Sequence, residues 1–213
     1  MVPLVVRPVI MSPLRLLFMV CVVAFTAAAA AVDLRTKRLP NSLTVPALVA
    51  ALLFSLIAGW TRQQGLYGAG QYLLGALAGF AVGFGILWVL WMIGGSGGGD
   101  VKFLGALGAW LGAGSIVEVL IVSAVLSLML TLLTLAIQFV RLGPGGAKRR
   151  YLTPRREDKK NRRSDELAEH LRQKQMVRRR LVPFGVPVAL ATWIVLAVQL
   201  IVHPAGPQAW GLM

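Results

Sequence analysis

The chain has 213 residues, of which 57% are hydrophobic and only 14% charged, with a formal net charge of +14 from 22 Lys and Arg against 8 Asp and Glu. Soluble domains carry about 25% charged residues. A mean hydropathy of +0.72 therefore excludes an ordinary soluble domain and points to a membrane protein whose charge is gathered in few places. The single cysteine, Cys21, excludes an intramolecular disulfide and a CxxC zinc site.

A helix needs about 20 apolar residues to cross a bilayer. Long charge-free stretches predict an all-α polytopic membrane protein, one integral domain over 1–213 with about six transmembrane helices. In chain order they are expected near 14–32, 43–60, 72–93, 101–114, 117–140 and 184–203. Residues 1–10 precede them without an evident role, and Met11 is an alternative start to Met1. The first stretch also admits a signal-peptide reading, with Arg15, an apolar run and a small-residue site at Ala27–Ala31. Cleavage there would leave five helices and put Asp33 outside, against the charge bias described next. The fourth stretch, 103–117, is short and glycine-rich, and also fits a re-entrant or tilted segment.

Basic residues set the expected topology. The segment 141–180 holds 15 Lys and Arg with 5 acids, which makes it a basic cytoplasmic loop by the positive-inside rule. Counting back through the helices places Arg35, Lys37 and Arg38, and the turn before Lys102, on the same side. Both chain termini then lie outside. Within the loop, Ser164 is expected to cap a helix from about 165 to 182. The loop is expected to meet anionic lipid and to fix topology rather than to bind nucleic acid. Gly75, Gly79 and Gly83, and Gly108 and Gly112, recur at a spacing that lets helix backbones approach in lipid. Trp60, Tyr67, Tyr72 and Trp210 are expected at the outer interface, and Trp88, Trp91, Trp110 and Trp193 in helix packing.

The three acids outside the basic loop are Asp33, Asp100 and Glu118. Carboxylates at membrane helices are costly and mark function by default. Glu118 falls at an outer turn and reads as an interfacial, structural residue. Asp33 and Asp100 fall at helix ends on one membrane face. Two neighbouring carboxylates in a partly dry site tend to share a proton. The ionised member can take a proton from water while the protonated one polarises a scissile carbonyl. His170 and His203 lie on opposite sides, so neither a His-activated serine nor a zinc site competes. No cofactor or metal is expected. The run Gly94-Gly95-Ser96-Gly97-Gly98-Gly99 before Asp100 disfavours helix and suits a close backbone approach.

Asp33-Leu34-Arg35-Thr36-Lys37-Arg38-Leu39-Pro40-Asn41 resembles the Asp-containing segment of type IV prepilin peptidases, with Leu39 where Ile is usual. Gly97-Gly98-Gly99-Asp100-Val101-Lys102 resembles their Gly-x-Gly-Asp motif and its following Lys, and residues 103–112 are similar to the next helix. The resemblance covers about 14–140. It implies an intramembrane aspartic endopeptidase that removes the leader of prepilin-like or pseudopilin substrates at the cytoplasmic face of the inner membrane. It implies Asp33 and Asp100 as the catalytic pair, with Lys102, Gly97, Gly99 and Asn41 auxiliary or substrate-binding. The absence of paired cysteines makes the chain look like the short, peptidase-only type of tight-adherence pilus systems; archaeal preflagellin peptidases are similar. Presenilin-like proteases share Gly-x-Gly-Asp, but here Pro46-Ala47-Leu48 precedes Asp100 instead of following it.

Two rivals make different demands. A small proton-coupled transporter would use Asp33 and Asp100 as ion sites, which favours the bilayer midplane over helix ends. A scaffold displaying the basic loop would depend on 144–159 and not on the aspartates.

Overall fold

A computed structural model describes residues 13–36, 39–62, 65–94, 97–151 and 184–202. The expected helix at 165–182, most of the basic loop, the alternative starts, His203 and Trp210 lie outside them. The described residues form five α-helices: α1 (Pro13–Thr36), α2 (Asn41–Arg62), α3 (Leu66–Met92), α4 (Gly98–Tyr151) and α5 (Gly185–Val202). Each contains a stretch long and apolar enough to cross a membrane. The fold is therefore an all-α polytopic membrane protein.

Five such helices stand among the described residues, because the stretches expected at 101–114 and 117–140 belong to one helical run, α4. Its apolar part, Gly98–Ile137, has 40 residues, about 60 Å if straight and twice the hydrocarbon thickness. It is not straight. Gly112 has φ +78°, a left-handed conformation that glycine adopts without penalty. Past it, Ile116 Cγ1 comes within 3.4 Å of where a Cβ on Gly108 would stand. In a straight helix those residues would be separated by about 12 Å of rise. The chain thus doubles back at Gly112 without leaving helical pairing. The break expected between 114 and 117, beside Glu118, thus falls a few residues earlier, at Gly112. The C-terminal arm also runs to Tyr151 rather than 140.

The chain divides into two compact units, Met1–Ala124 with Phe184–Met213, and Val125–Pro183. In the second, the described part is the helical stretch to Tyr151, with Val125, Leu128, Met129, Leu132 and Leu133 all exposed. In the first, the core is the N-terminal arm of α4. From Asp100 to Gly112 every residue except Lys102 is buried. A helix buried on all sides is the centre of a bundle.

Its neighbours hold it with rings and with bare backbone. Trp110 packs against Phe18 of α1 and Phe54 of α2, at centroid distances of 5.9 and 5.5 Å, and its Nε1 donates to the Ala47 carbonyl at 3.0 Å. Phe103 packs on Phe25 at 5.4 Å. On the α3 side, a Cβ on Gly79 would collide with the Gly108 carbonyl, and one on Gly108 with the Gly79 carbonyl. The expected glycine seam is thus a backbone-to-backbone contact. Gly59 of α2 makes a similar approach, with its Cβ position 2.5 Å from the Gly68 carbonyl oxygen of α3. Tyr72, expected at the interface, is instead buried at 3% exposure; Trp60 and Tyr67 are exposed. Trp110 is buried as a packing residue should be, whereas Trp88, Trp91 and Trp193 are each more than a third exposed.

Candidate active site

Asp33 lies on α1 and continues the buried stripe of Phe18, Val22, Phe25, Thr26 and Ala29. That stripe follows helical periodicity, so the carboxylate enters a core position one turn before the helix ends. It is 5% exposed. A carboxylate buried there must be hydrogen-bonded. Its Oδ2 accepts the backbone N–H of Gly185, the first residue of α5, at 2.7 Å.

Asp100 is set by the glycine break. α3 ends at Met92 and Gly94 turns with φ +83°. The Gly97 carbonyl then accepts the N–H groups of Asp100 and Val101, opening α4. Asp100 Oδ2 in turn accepts the Gly97 N–H at 3.2 Å, the reciprocal half of a capping box. Asp100 is 7% exposed, and it sits in the first helical turn, where a carboxylate complements the helix dipole.

The ring contacts give the register between α1 and α4. Phe18 meets Trp110 and Phe25 meets Phe103, so the two helices run antiparallel, residue for residue. Asp33 follows Phe25 by eight positions and Asp100 precedes Phe103 by three. Both therefore stand at the same end of the bundle, with levels differing by five residues, about 7–8 Å along the axis.

The other sequence-derived candidates gather at that end. Gly99 packs on the chain entering α2; a Cβ there would stand 3.3 Å from the Leu39 carbonyl oxygen and 3.4 Å from Leu39 Cβ. The Pro40 carbonyl accepts the N–H groups of Leu43 and Thr44 and starts α2, with Asn41 its first residue. Asn41 Oδ1 accepts a hydrogen bond from Lys102 Nζ at 3.0 Å, and both side chains are exposed. Lys102 thus ties α4 to α2 at the rim. Gly97 supplies the cap of Asp100. Arg35 is exposed on the last turn of α1.

Glu118 is at the other end. It is exposed and accepts a hydrogen bond from Gln199 Nε2 at 3.2 Å, while the same nitrogen donates to Ser115 Oγ at 3.0 Å. Gln199 lies 14 residues beyond Gly185 on α5, about 21 Å along it. Neither Gly185 nor Gln199 stands in a motif that would single it out. Pro183 and Pro187 flank Gly185 and mark a helix start, but nothing local names the partner of its N–H.

A model of the type IV leader peptidase family matches residues 19–132, more than half of the chain. Among similar curated proteins is a prepilin leader peptidase/N-methyltransferase of Burkholderia pseudomallei (strain 1026b), 41% identical over 101 residues, which cover 46% of this chain and 31% of that protein. The protein of that name from Klebsiella pneumoniae is 36% identical over 98 residues, 45% of this chain and 40% of its own length. The one from Escherichia coli (strain K12) is 32% identical over 120 residues, 55% of this chain and 48% of its own. The chain thus spans less than half the length of each of these relatives. No solved structure matches it. The family match takes in most of α1, all of α2 and α3, and α4 as far as Leu132, and with them Asp33, Asn41, Asp100 and Lys102: the chain belongs to the type IV leader peptidase family.

Proposed function

We propose that the protein is a prepilin leader peptidase, an aspartic endopeptidase whose catalytic pair is Asp33 and Asp100. The observation that carries this reading is two buried carboxylates at one end of the bundle, on helices held in register by aromatic contacts. In the proposed reaction one carboxylate is ionised and removes a proton from water. That water attacks the scissile carbonyl carbon, and the protonated carboxylic acid donates a hydrogen bond to the carbonyl oxygen. The tetrahedral intermediate collapses as the leaving amine takes a proton from the pair, and the leader departs with a new carboxylate. Lys102 and Asn41, joined across the rim, would contact the polar part of the substrate.

The two arms of α4 on either side of Gly112 are proposed to cross the bilayer separately, giving six crossings of the inner membrane with the N-terminus outside. The aspartate end then faces the cytoplasm with the basic segment, whose Lys and Arg would meet anionic lipid. A substrate would present its leader there, its apolar helix lying in the bilayer.

Co-expression with a prepilin tests the reading. Leader removal, seen as a shorter pilin with a new N-terminus by mass spectrometry, is expected with the wild-type chain and not with empty vector. An unprocessed prepilin beside abundant membrane-inserted protein would refute it. Proton-coupled solute uptake lost in Asp33→Asn would favour a transporter instead.

A further inference from the structure

We infer that Gly185 is a positioning residue for Asp33: α5 presents its first backbone N–H to the carboxylate and fixes the plane in which that carboxylate works. This rests on the peptidase reading above and adds a third helix to the machinery, outside both Asp motifs and outside residues 19–132.

The first N–H groups of a helix have no partner within it. In α5 the Gly185 N–H is satisfied by Asp33 Oδ2 at 2.7 Å, in a buried contact between residues 152 apart in sequence. A backbone donor at the positive end of a helix, shielded from water, is matched to a carboxylate. Because the donor belongs to the main chain, it cannot swing away as a side chain would. Holding one oxygen sets the rotation of the whole carboxylate, which a proton transfer requires within tight limits.

Glycine leaves room for the approach, and any larger residue would push Asp33 by a few tenths of an ångström. A Cβ on residue 185 would stand 3.1 Å from both Asp33 Cβ and Asp33 Oδ2, and 3.4 Å from the Ala29 carbonyl oxygen. The conformation there is not left-handed, so the requirement is space and not backbone freedom. α5 is well placed to keep this contact: Pro187, Val188, Ala191 and Thr192 are buried on the same helix, and Trp193 Nε1 donates to Thr26 Oγ1 of α1 at 3.0 Å.

Two substitutions probe the contact. Gly185→Ala adds the Cβ and keeps the N–H. Gly185→Pro adds a Cβ and also replaces the N–H hydrogen by a ring carbon facing Asp33 Oδ2, at a first-turn position that proline tolerates. With reconstituted protein and a prepilin substrate, Gly185→Ala is expected to lower kcat roughly tenfold through displacement of the carboxylate. Gly185→Pro should lower it about tenfold further. KM should stay within about twofold of wild type in both, because the residue acts on the carboxylate and not on the substrate. Equal kcat in the two variants, a wild-type kcat in Gly185→Ala, or a loss confined to KM would overturn the assignment. Should Gly185→Pro not accumulate in membranes, the kcat and KM of Gly185→Ala decide alone.

A second readout needs no substrate. In detergent, the unfolding free energies of Gly185→Ala, Asp33→Ala and the double variant form a cycle. Non-additive losses are expected, since both changes act on one contact, and additive losses would overturn the contact itself. Failure of wild-type cleavage with the coupling intact would instead count against the peptidase reading alone.

Discussion

The two ends of α5 are tied to the bundle in different ways. At its start, a backbone N–H meets a buried carboxylate of α1. At its end, about four turns on, the Gln199 side-chain amide meets Ser115 and an exposed glutamate of α4. The first contact holds a carboxyl group in the core, where such a group is costly without a hydrogen bond. The second anchors a helix end beside water, where a carboxylate costs little. Two acidic residues in the same bundle thus have different surroundings, and burial with a main-chain donor is the distinguishing feature.

That contrast can be broken by experiment. The largest effect is expected from neutralising each carboxylate in turn. Asp33→Asn should lower leader cleavage by about 10³-fold or more, whereas Glu118→Gln should leave it within about twofold, with both variants inserted and folded by size-exclusion in detergent. Next comes the seam between the ends. Gly108→Leu would drive a side chain into the Gly79 backbone, a collision no rotamer relieves, and should cost several kcal/mol. The expected result is loss of monodisperse protein after extraction. Comparable recovery of this variant and wild type would mean that α3 and α4 do not meet there.

Smaller effects are expected at the rim and at the far end of α5. Lys102→Met removes an exposed side-chain hydrogen bond to Asn41 and should slow cleavage only a few-fold, in line with about 1 kcal/mol for such a contact. A loss approaching that of Asp33→Asn would promote Lys102 to the chemistry itself. The smallest effect is expected for Gln199→Leu. Gln199 Oε1 is buried without a hydrogen-bond partner among the described residues, so an apolar side chain relieves that cost while giving up two bonds. Melting temperature within about 3 °C of wild type and an unchanged kcat are expected. A large loss of kcat there would erase the distinction between the two ends.

Much of the aspartate end was legible in the sequence. Asp33 and Asp100 are two of the three acids outside the basic segment 141–180, each at the end of a long apolar stretch, and the glycine run before Asp100 announced the break that starts α4. The spacing of Gly79 and Gly108 announced a close helix approach, and the structure turns it into backbone contact. What was not legible is non-local. A break ahead of Glu118 was expected, but its place at Gly112 rests on the fold, since nothing local separates that glycine from its packing neighbours. The short stretch 103–117 looked insecure as a membrane span because length rules assume contact with lipid, whereas 103–111 is buried by protein on every side. Tyr72 reads as an interface residue by its type, and its burial depends on the fold around α3. The partner of Gly185 lies 152 residues away, beyond any periodicity or motif.

In the proposed mechanism Asp33 and Asp100 act as one unit. The direct test is the initial rate of leader release from a purified prepilin by reconstituted wild type, Asp33→Asn, Asp100→Asn and the double variant, followed by mass spectrometry. If the pair is a unit, either single substitution removes all of the catalysis and the double variant is no worse than either. A single variant that releases the leader within about tenfold of the wild-type rate would contradict the claim, since a general acid–base partner contributes more than that.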